Sequence, residues 1–323
     1  MTITVGGASL VRAVNRKNTK KNKNVSGAIN VKRGKKVNAG KQYVLGDKAN
    51  KSKKINAKQI NAKKINAKKI KAKRKVKIIK KINPRNKWMH YRLFQSNQRL
   101  SAHLPHTVLM TSKTLHSMLM KYRMVYIKPT VGAFGKGVMK VEYIKDINGL
   151  PFRYQVEEAV YYFTSFSDLM TSIRKHTIKK PYIIQRGVEL INYQSRPVDL
   201  RIMLQKEDGQ YNVVGIACRV AHPDKIITNA SGGGEVIPVQ RLLTSSRISK
   251  GLITIYKMQE VALLASKVLK NKFPQIKEFG VDIGLDKTMK PWIIEINTRP
   301  LIRIFEKLGD RDILDRIQRN RNQ

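Results

Sequence analysis

The chain has one cysteine in 323 residues, Cys218, which excludes an internal disulfide and fits a reducing compartment. It has no run of 18 apolar residues, so no membrane-spanning helix is expected. The first residues, MTITVGGASLVRAVNRK, lack a basic leading segment, and Arg12 interrupts their apolar stretch. That is not the pattern of a secretory signal, and a cytoplasmic protein is the expectation. Acids are scarce, 21 Asp and Glu against 66 Lys and Arg, and the imbalance is uneven. Residues 1–87 hold 29 basic side chains, a single acid, Asp47, and a single aromatic, Tyr43. This quarter of the chain therefore carries +28 of the formal +45, with almost nothing on which a base could stack.

From Ile55 the basic region repeats INAKQ, INAKK, INAKK, IKAKR, with isoleucines at 55, 60, 65 and 70. Five residues advance a helix by about 500°, so successive isoleucines fall about 140° apart, and in a strand an odd period changes face each time. Neither conformation builds a continuous apolar face. Residues 1–83 are expected to be a disordered low-complexity segment. Two readings stay open for it: an arm that binds nucleic acid or another polyanion through counterion release, or a solvated extension produced by compositional drift.

From Trp88 the pattern changes to that of a folded α+β unit, 84–323. KWMHYRLFQSNQRL reads as a helix, TVLM as a short strand and SKTLHSMLMKY as a capped helix starting at Ser112. Strands follow at 124–128, near 138–145 and over 152–164, then a helix started by Ser167 and a buried strand in PYIIQRGVEL. Asp208-Gly209 joins the strands VDLRIMLQK and YNVVGIACRV, whose alternation makes Cys218 a packed core thiol. The sequence LITIYKMQEVALLASKVLKNKF is the longest helical pattern, and FGVDIGLDKTMKPWIIEIN reads as a closing hairpin.

Two stretches carry chemistry. In YIKPTVGAFGKGVMKVE, residues 126–142, Gly132, Gly135 and Gly137 with Lys128 and Lys136 suit the close approach of a phosphate. The metal-binding Ser or Thr of a Walker A loop is absent, because Gly137 comes directly after Gly135-Lys136. Residues 138–144 alternate as a strand, which excludes a glycine loop opening a helix. A hairpin flap over a nucleotide fits the arrangement, and so does a mobile hairpin with two solvated lysines.

The second stretch is the closing hairpin. With its turn centred between Thr288 and Met289, Asp282 faces Glu295, and Asn297 shares Glu295's face. Three oxygen donors on one side suit Mg²⁺, with Ile283, Leu285, Trp292, Ile294 and Ile296 expected on the other. Asp199 and Arg201 share a face of their strand, and Arg219 lies with Gly215 and Ala217, small neighbours that leave room for a ligand. TNASGGGEV, with Asn229, is either a simple flexible loop or a second flap near the phosphates.

In order, Lys87-Trp88, HLPHTVLMT, YIKPTVGAFGKGV, YIIQRGVEL, RPVDLRIMLQ, CRVA, TNASGGG, FGVDIGLD and WIIEINTRP resemble the ATP-grasp domain of the YheC/YheD endospore coat-associated proteins, over about residues 84–310. The resemblance implies an ATP-grasp fold, two α+β subdomains gripping ATP between antiparallel sheets. It implies a carboxylate that takes the γ-phosphoryl group and an acyl phosphate then attacked by an amine or similar nucleophile. By the same resemblance, Lys128 and Lys87 contact phosphates, Gly132, Gly135, Lys136 and Gly137 form the flap, and Gln185, Arg186, Gly187 and Val188 form the adenine hinge. Asp282, Glu295 and Asn297 hold one or two Mg²⁺ ions, or Mn²⁺, and Arg201 and Arg219 neutralise charge on the transferred group.

Members of the family carry a folded region where this chain has its lysine repeat. Two functions are consistent with that difference: an ATP-dependent carboxylate ligase with an unknown carboxylate acceptor, or a catalytically weak nucleotide-binding structural protein of the spore, tethered by its basic arm.

Overall fold

The computed structural model describes residues 83–144, 149–177, 180–223, 233–245 and 251–322, with Asn66 alone before them. The disorder expected of residues 1–83 and the flap role of Asn229 therefore concern positions almost wholly outside the described residues. The described fold belongs to one unit, Asn83–Gln323.

Helix α1 (Lys87–Gln95) starts where the Asn86 side chain accepts from the Met89 N–H. It stops sooner than its apolar pattern suggests. Asn97 caps a separate short helix, α2 (Gln98–Ser101), by accepting from Leu100 N–H, and the chain turns between them. After strand β1 (Thr107–Leu109), Thr111 and Thr114 form a reciprocal capping box for α3 (Ser112–Tyr122).

Then come β2 (Met124–Pro129), β3 (Met139–Tyr143), β4 (Phe152–Val156), β5 (Ala159–Phe163), α4 (Phe166–Thr177) and β6 (Tyr182–Arg186). The stretch expected as one strand over 152–164 is thus a hairpin, turning at Glu157 with φ 52°. A two-residue turn preserves the period of two, and neither turn residue is the usual Gly or Asn, so the alternation hides it. Helix α4 begins one residue before Ser167, with Ser165 Oγ accepting from Asp168 N–H.

These strands make an antiparallel sheet in the order β1-β6-β2-β3-β4-β5. Its core is built from Val125, Ile127, Met139, Val141, Tyr154 and Ile184 against Leu115, Leu119, Leu169 and Ile173 of α3 and α4.

The second half begins with β7 (Asn192–Tyr193), β8 (Arg196–Glu207) and β9 (Gln210–Val220). Asp208 and Gly209, with φ of 47° and 79°, make the tight turn expected between β8 and β9. There follow β10 (Glu235–Ile237), α5 (Val239–Ser245), α6 (Gly251–Lys272), β11 (Glu278–Leu285), β12 (Pro291–Asn297), α7 (Arg303–Leu308) and α8 (Arg311–Asn322). The sheet order is β10-β9-β8-β11-β12, antiparallel throughout.

Both faces of the β8–β9 ladder are buried and need two covers. Ile304, Phe305 and Ile317 of α7 and α8 cover Met203, Val214 and Ala217, which leaves the Leu200, Ile202 and Cys218 face to α6. Cys218 is fully buried, and burial pushes its thiol up to about 12, as suits a packing residue. The molecule has the two α+β halves that the motifs imply.

Candidate functional site

A small cleft, partly open to solvent, lies between the first sheet and β12. Four of the residues singled out from sequence meet there: Lys87, Lys128, Gln185 and Glu295. Alternation in β2 turns Val125 and Ile127 into the core and Lys128 to the opposite face. Lys128 is nevertheless buried, at 7% exposure, and Nζ donates to Gln185 Oε1 at 2.5 Å. Burial lowers its pKa to about 8, against an upward pull from Glu295. Gln185 is fixed in turn, its amide donating to Thr107 Oγ1 at 3.4 Å.

Lys87, at the start of α1, ties three elements together. Its N–H donates to Thr130 O at 2.8 Å, and Nζ donates to Gly132 O at 3.2 Å and stands 3.3 Å from Glu295 Oε1. His90, one turn on, lines the same cleft; burial lowers its pKa to about 4, so it is neutral and donates from Nε2 to Pro84 O at 2.8 Å.

The glycine loop is a strand-loop-strand, as expected, joining β2 to β3. Gly135 and Gly137 have φ of 71° and 74°, a region that favours glycine. Lys136 is exposed and, like the three glycines, stands outside the lining of the cleft.

A second group lies on one face of β8, β9, β11 and β12. Register sets Asp199 opposite Arg219, Arg201 opposite Asp282, and Asp282 opposite Glu295 as expected. Arg219 donates to both oxygens of Asp199, at 2.7 and 2.5 Å, and its Nη2 is 2.9 Å from Asp282 Oδ2. Arg201 donates through Nε to Asp282 Oδ1 and through Nη2 to Oδ2 at 3.0 Å, and the Asn297 amide reaches that oxygen at 3.4 Å. Burial alone would raise the Asp282 carboxyl, but Arg201 and Arg219 hold it below the usual carboxylate range. Arg219 loses some basicity to burial and gains more from Asp199 and Asp282, so its pKa is raised. The four charges balance.

Two expectations are corrected. The hairpin register holds from Gly280 to Asp282 and then shifts by one, so Ile283 faces Ile293 and Gly284 faces Trp292. A bulge in β12 therefore brings Trp292 to Asp282's side, and a Cβ on Gly284 would lie 3.4 Å from Ile294, away from the apolar face foreseen for both. The space expected at Gly215 is filled. A Cβ on Gly215 would lie 2.7 Å from Ile313 and 2.9 Å from Phe305, so the small residue admits helices, not a ligand. Of the four residues expected at the hinge, Gln185 lines the cleft. Arg186 N–H donates to His106 O and Gly187 N–H to Met124 O, while the Arg186 guanidinium lies about as far from the Tyr122 ring as from Trp292, at 5.5 and 5.4 Å.

Asp282, Glu295 and Asn297 are hard oxygen donors of the kind Mg²⁺ takes. Among the described residues no group of three His, Cys, Asp or Glu stands ready to hold a metal alone. Both Asp282 oxygens already receive guanidinium N–H groups, and Glu295 pairs with Lys87. Asp199, Thr107 and His90 are contributors to which the sequence assigns no role. Asp199 alone left a signal, in its placement two residues before Arg201.

A family model described as YheC/D like ATP-grasp matches residues 75–321. The chain is 31% identical over 226 residues to the endospore coat-associated protein YheD of Bacillus subtilis (strain 168), covering 68% of this chain and 49% of that protein. It is 23% identical over 217 residues to YheC of the same organism, covering 67% and 60%. It thus spans about half to three fifths of these curated relatives. Among solved structures it is similar to a carboxyaminoimidazole ribonucleotide synthase from Aspergillus clavatus complexed with ATP, at 12% identity and a TM-score of 0.43, covering 67% of this chain and 45% of that one. Among the described residues no helix is long and apolar enough to cross a membrane. With its motifs in order, its two antiparallel sheets and a family match over most of its length, the chain belongs to the YheC/D-like ATP-grasp family.

Proposed function

We propose that this protein binds ATP with Mg²⁺ and is an ATP-dependent carboxylate ligase working through an acyl phosphate. The observation that carries the reading is Lys128, a buried cation whose Nζ donates to the neutral Gln185 amide and lies 5.7 Å from the Tyr126 ring centroid. Holding an ammonium out of water is costly without an anion, and a phosphate entering the cleft supplies one. Lys128 and Lys87 take phosphate oxygens, Gln185 orients the base side of the cleft, and the loop with Gly132, Gly135, Lys136 and Gly137 covers them. Asp282, Glu295 and Asn297 hold one or two ions, Mg²⁺ or the similarly hard Mn²⁺, which when bound neutralise charge shared between phosphates. Arg201 and Arg219, fixed by Asp282 and Asp199, stabilise charge developing on the transferred group.

The acceptor is tested by incubating the protein with Mg-ATP and pooled amino acids, dipeptides and spore or wall precursors. ADP release above background in one pool supports the ligase. Mg-ATP binding without ADP release in any pool favours the second reading, a structural nucleotide-binding protein of the spore.

Residues 1–83 form the second part of the proposal, a domain of their own acting as a polyanion-binding arm. Both curated relatives are coat-associated by name, and the arm would tether a cytoplasmically made protein to nucleic acid or another polyanion in the spore. Deleting residues 1–83 should leave Mg-ATP affinity unchanged and flatten the slope of log affinity for double-stranded DNA against log salt, because fewer counterions are released. Equal slopes for the two proteins would return the repeat to drift.

A further inference from the structure

The two sheets have four outer edges among the described residues, and three are blunted. Strands β1 and β10 have three residues each. Strand β12 is bulged, and its Ile293 N–H is taken by His103 O at 2.9 Å. These are usual ways of protecting an edge from other chains. Strand β5, Ala159–Phe163, ends the first sheet without any of them. It is regular over five residues and lacks proline and every charged residue, in a chain where 66 of 323 residues are Lys or Arg. Val160, Tyr161 and Tyr162 are exposed by 41, 36 and 44%.

We propose that β5 is a homodimer interface, pairing antiparallel with β5 of a second copy about a two-fold axis at Tyr161. The backbone allows that register. The two-residue turn makes Val156–Ala159 a hydrogen-bonded pair, and alternation makes Tyr154–Tyr161 another. Val160 and Tyr162 therefore turn N–H and C=O outward. With Tyr161 on the axis, Val160 meets the partner's Tyr162, and each of the two symmetric pairs exchanges two hydrogen bonds.

Side chains agree on both faces. Tyr161 stacks on Tyr154 at 4.9 Å, so the dimer continues an aromatic ladder through the axis. On the other face Val160 lies against the partner's Tyr162. Within the strand neither copy carries a charged residue, so no like charges meet across the pair. That self-complementarity favours a second copy over a foreign strand.

Sedimentation velocity on the full chain from about 5 to about 500 µM tests the proposal, since so short a contact gives a weak dimer. A concentration-dependent dimer is expected. With +45 on each chain its association should strengthen as salt rises, the opposite of polyanion binding. Val160→Pro removes an outward N–H while sparing the bonds to β4, and should weaken association at least about tenfold with an unchanged melting temperature. Should that variant unfold, Tyr162→Lys carries the test, with the same loss expected. A chain monomeric at every concentration, or variants that dimerise like the parent, would overturn the proposal, as would capture of a foreign strand by β5 in a chain that does not self-associate.

Discussion

Lys128→Met should weaken Mg-ATP binding by at least about tenfold and remove one specific component of the pH dependence of stability. Methionine follows the path of a lysine side chain without its charge. One charge-assisted hydrogen bond to phosphate contributes roughly 1.5–3 kcal/mol, and each 1.4 kcal/mol is tenfold in affinity. In the ligand-free protein the lysine is a liability. Its pKa falls from 10.5 unfolded to about 8 folded, a cost on the order of 3 kcal/mol.

A folded pKa below the unfolded one makes that cost fully present below pH 8. It fades as pH rises to 10.5, where the lysine is neutral in both states. The variant also strips Gln185 Oε1 of its partner, an offset of about 1–3 kcal/mol that does not vary with pH. Relative to the parent, the variant should thus lose about 3 kcal/mol between pH 7 and 10.5, measured by denaturant unfolding. Calorimetry at pH 8 should show uptake of roughly half a proton on Mg-ATP binding, absent from the variant. A flat difference across that window would show that Lys128 is not a cation destabilised by burial.

Asp282→Asn and Glu295→Gln should both lose Mg²⁺-dependent ATP turnover, yet only the first should unsettle the fold. Asp282 is 5% exposed and receives Arg201 and Arg219 together; neutralising it leaves two buried guanidiniums facing one carboxylate, Asp199. Breaking a buried pair in this way costs about 3–5 kcal/mol, which lowers the melting temperature of a domain this size by about 10 °C. The Glu295 side chain is 27% exposed and paired with one lysine, so its loss should cost about 0–1 kcal/mol. Because Asp282's folded pKa is depressed, its contribution is present above the ordinary carboxylate pKa and fades as pH falls through the folded value. Equal melting temperatures for the two variants would contradict the assignment of separate structural loads.

What the sequence makes legible is local. Asp208-Gly209 announces its turn because both positions need positive φ, and Asp282 opposite Glu295 comes from counting outward along one hairpin. The bulge beyond Asp282 leaves no mark, since one extra residue in β12 does not alter its composition. The turn at Glu157 is silent because glutamate rarely adopts φ of 52°.

Gly215 misleads for another reason. A small residue signals close approach without saying of what, and the answer, Phe305 and Ile313, lies some ninety residues along the chain. The same distance problem hides the link between Lys128 and Gln185. Each belongs to its own recognisable motif, and the pairing of β2 with β6 brings them together.

The most direct test of the account is the melting temperature of the full-length protein with and without millimolar Mg-ATP. A ligand that binds only the folded form stabilises by roughly 2.7 kcal/mol at a hundred times its dissociation constant. A shift of about 5–10 °C is therefore expected, saturating with Mg-ATP and sharply reduced in Lys128→Met. An unshifted melting temperature would contradict the central claim that the cleft around Lys128 and Lys87 is a nucleotide site.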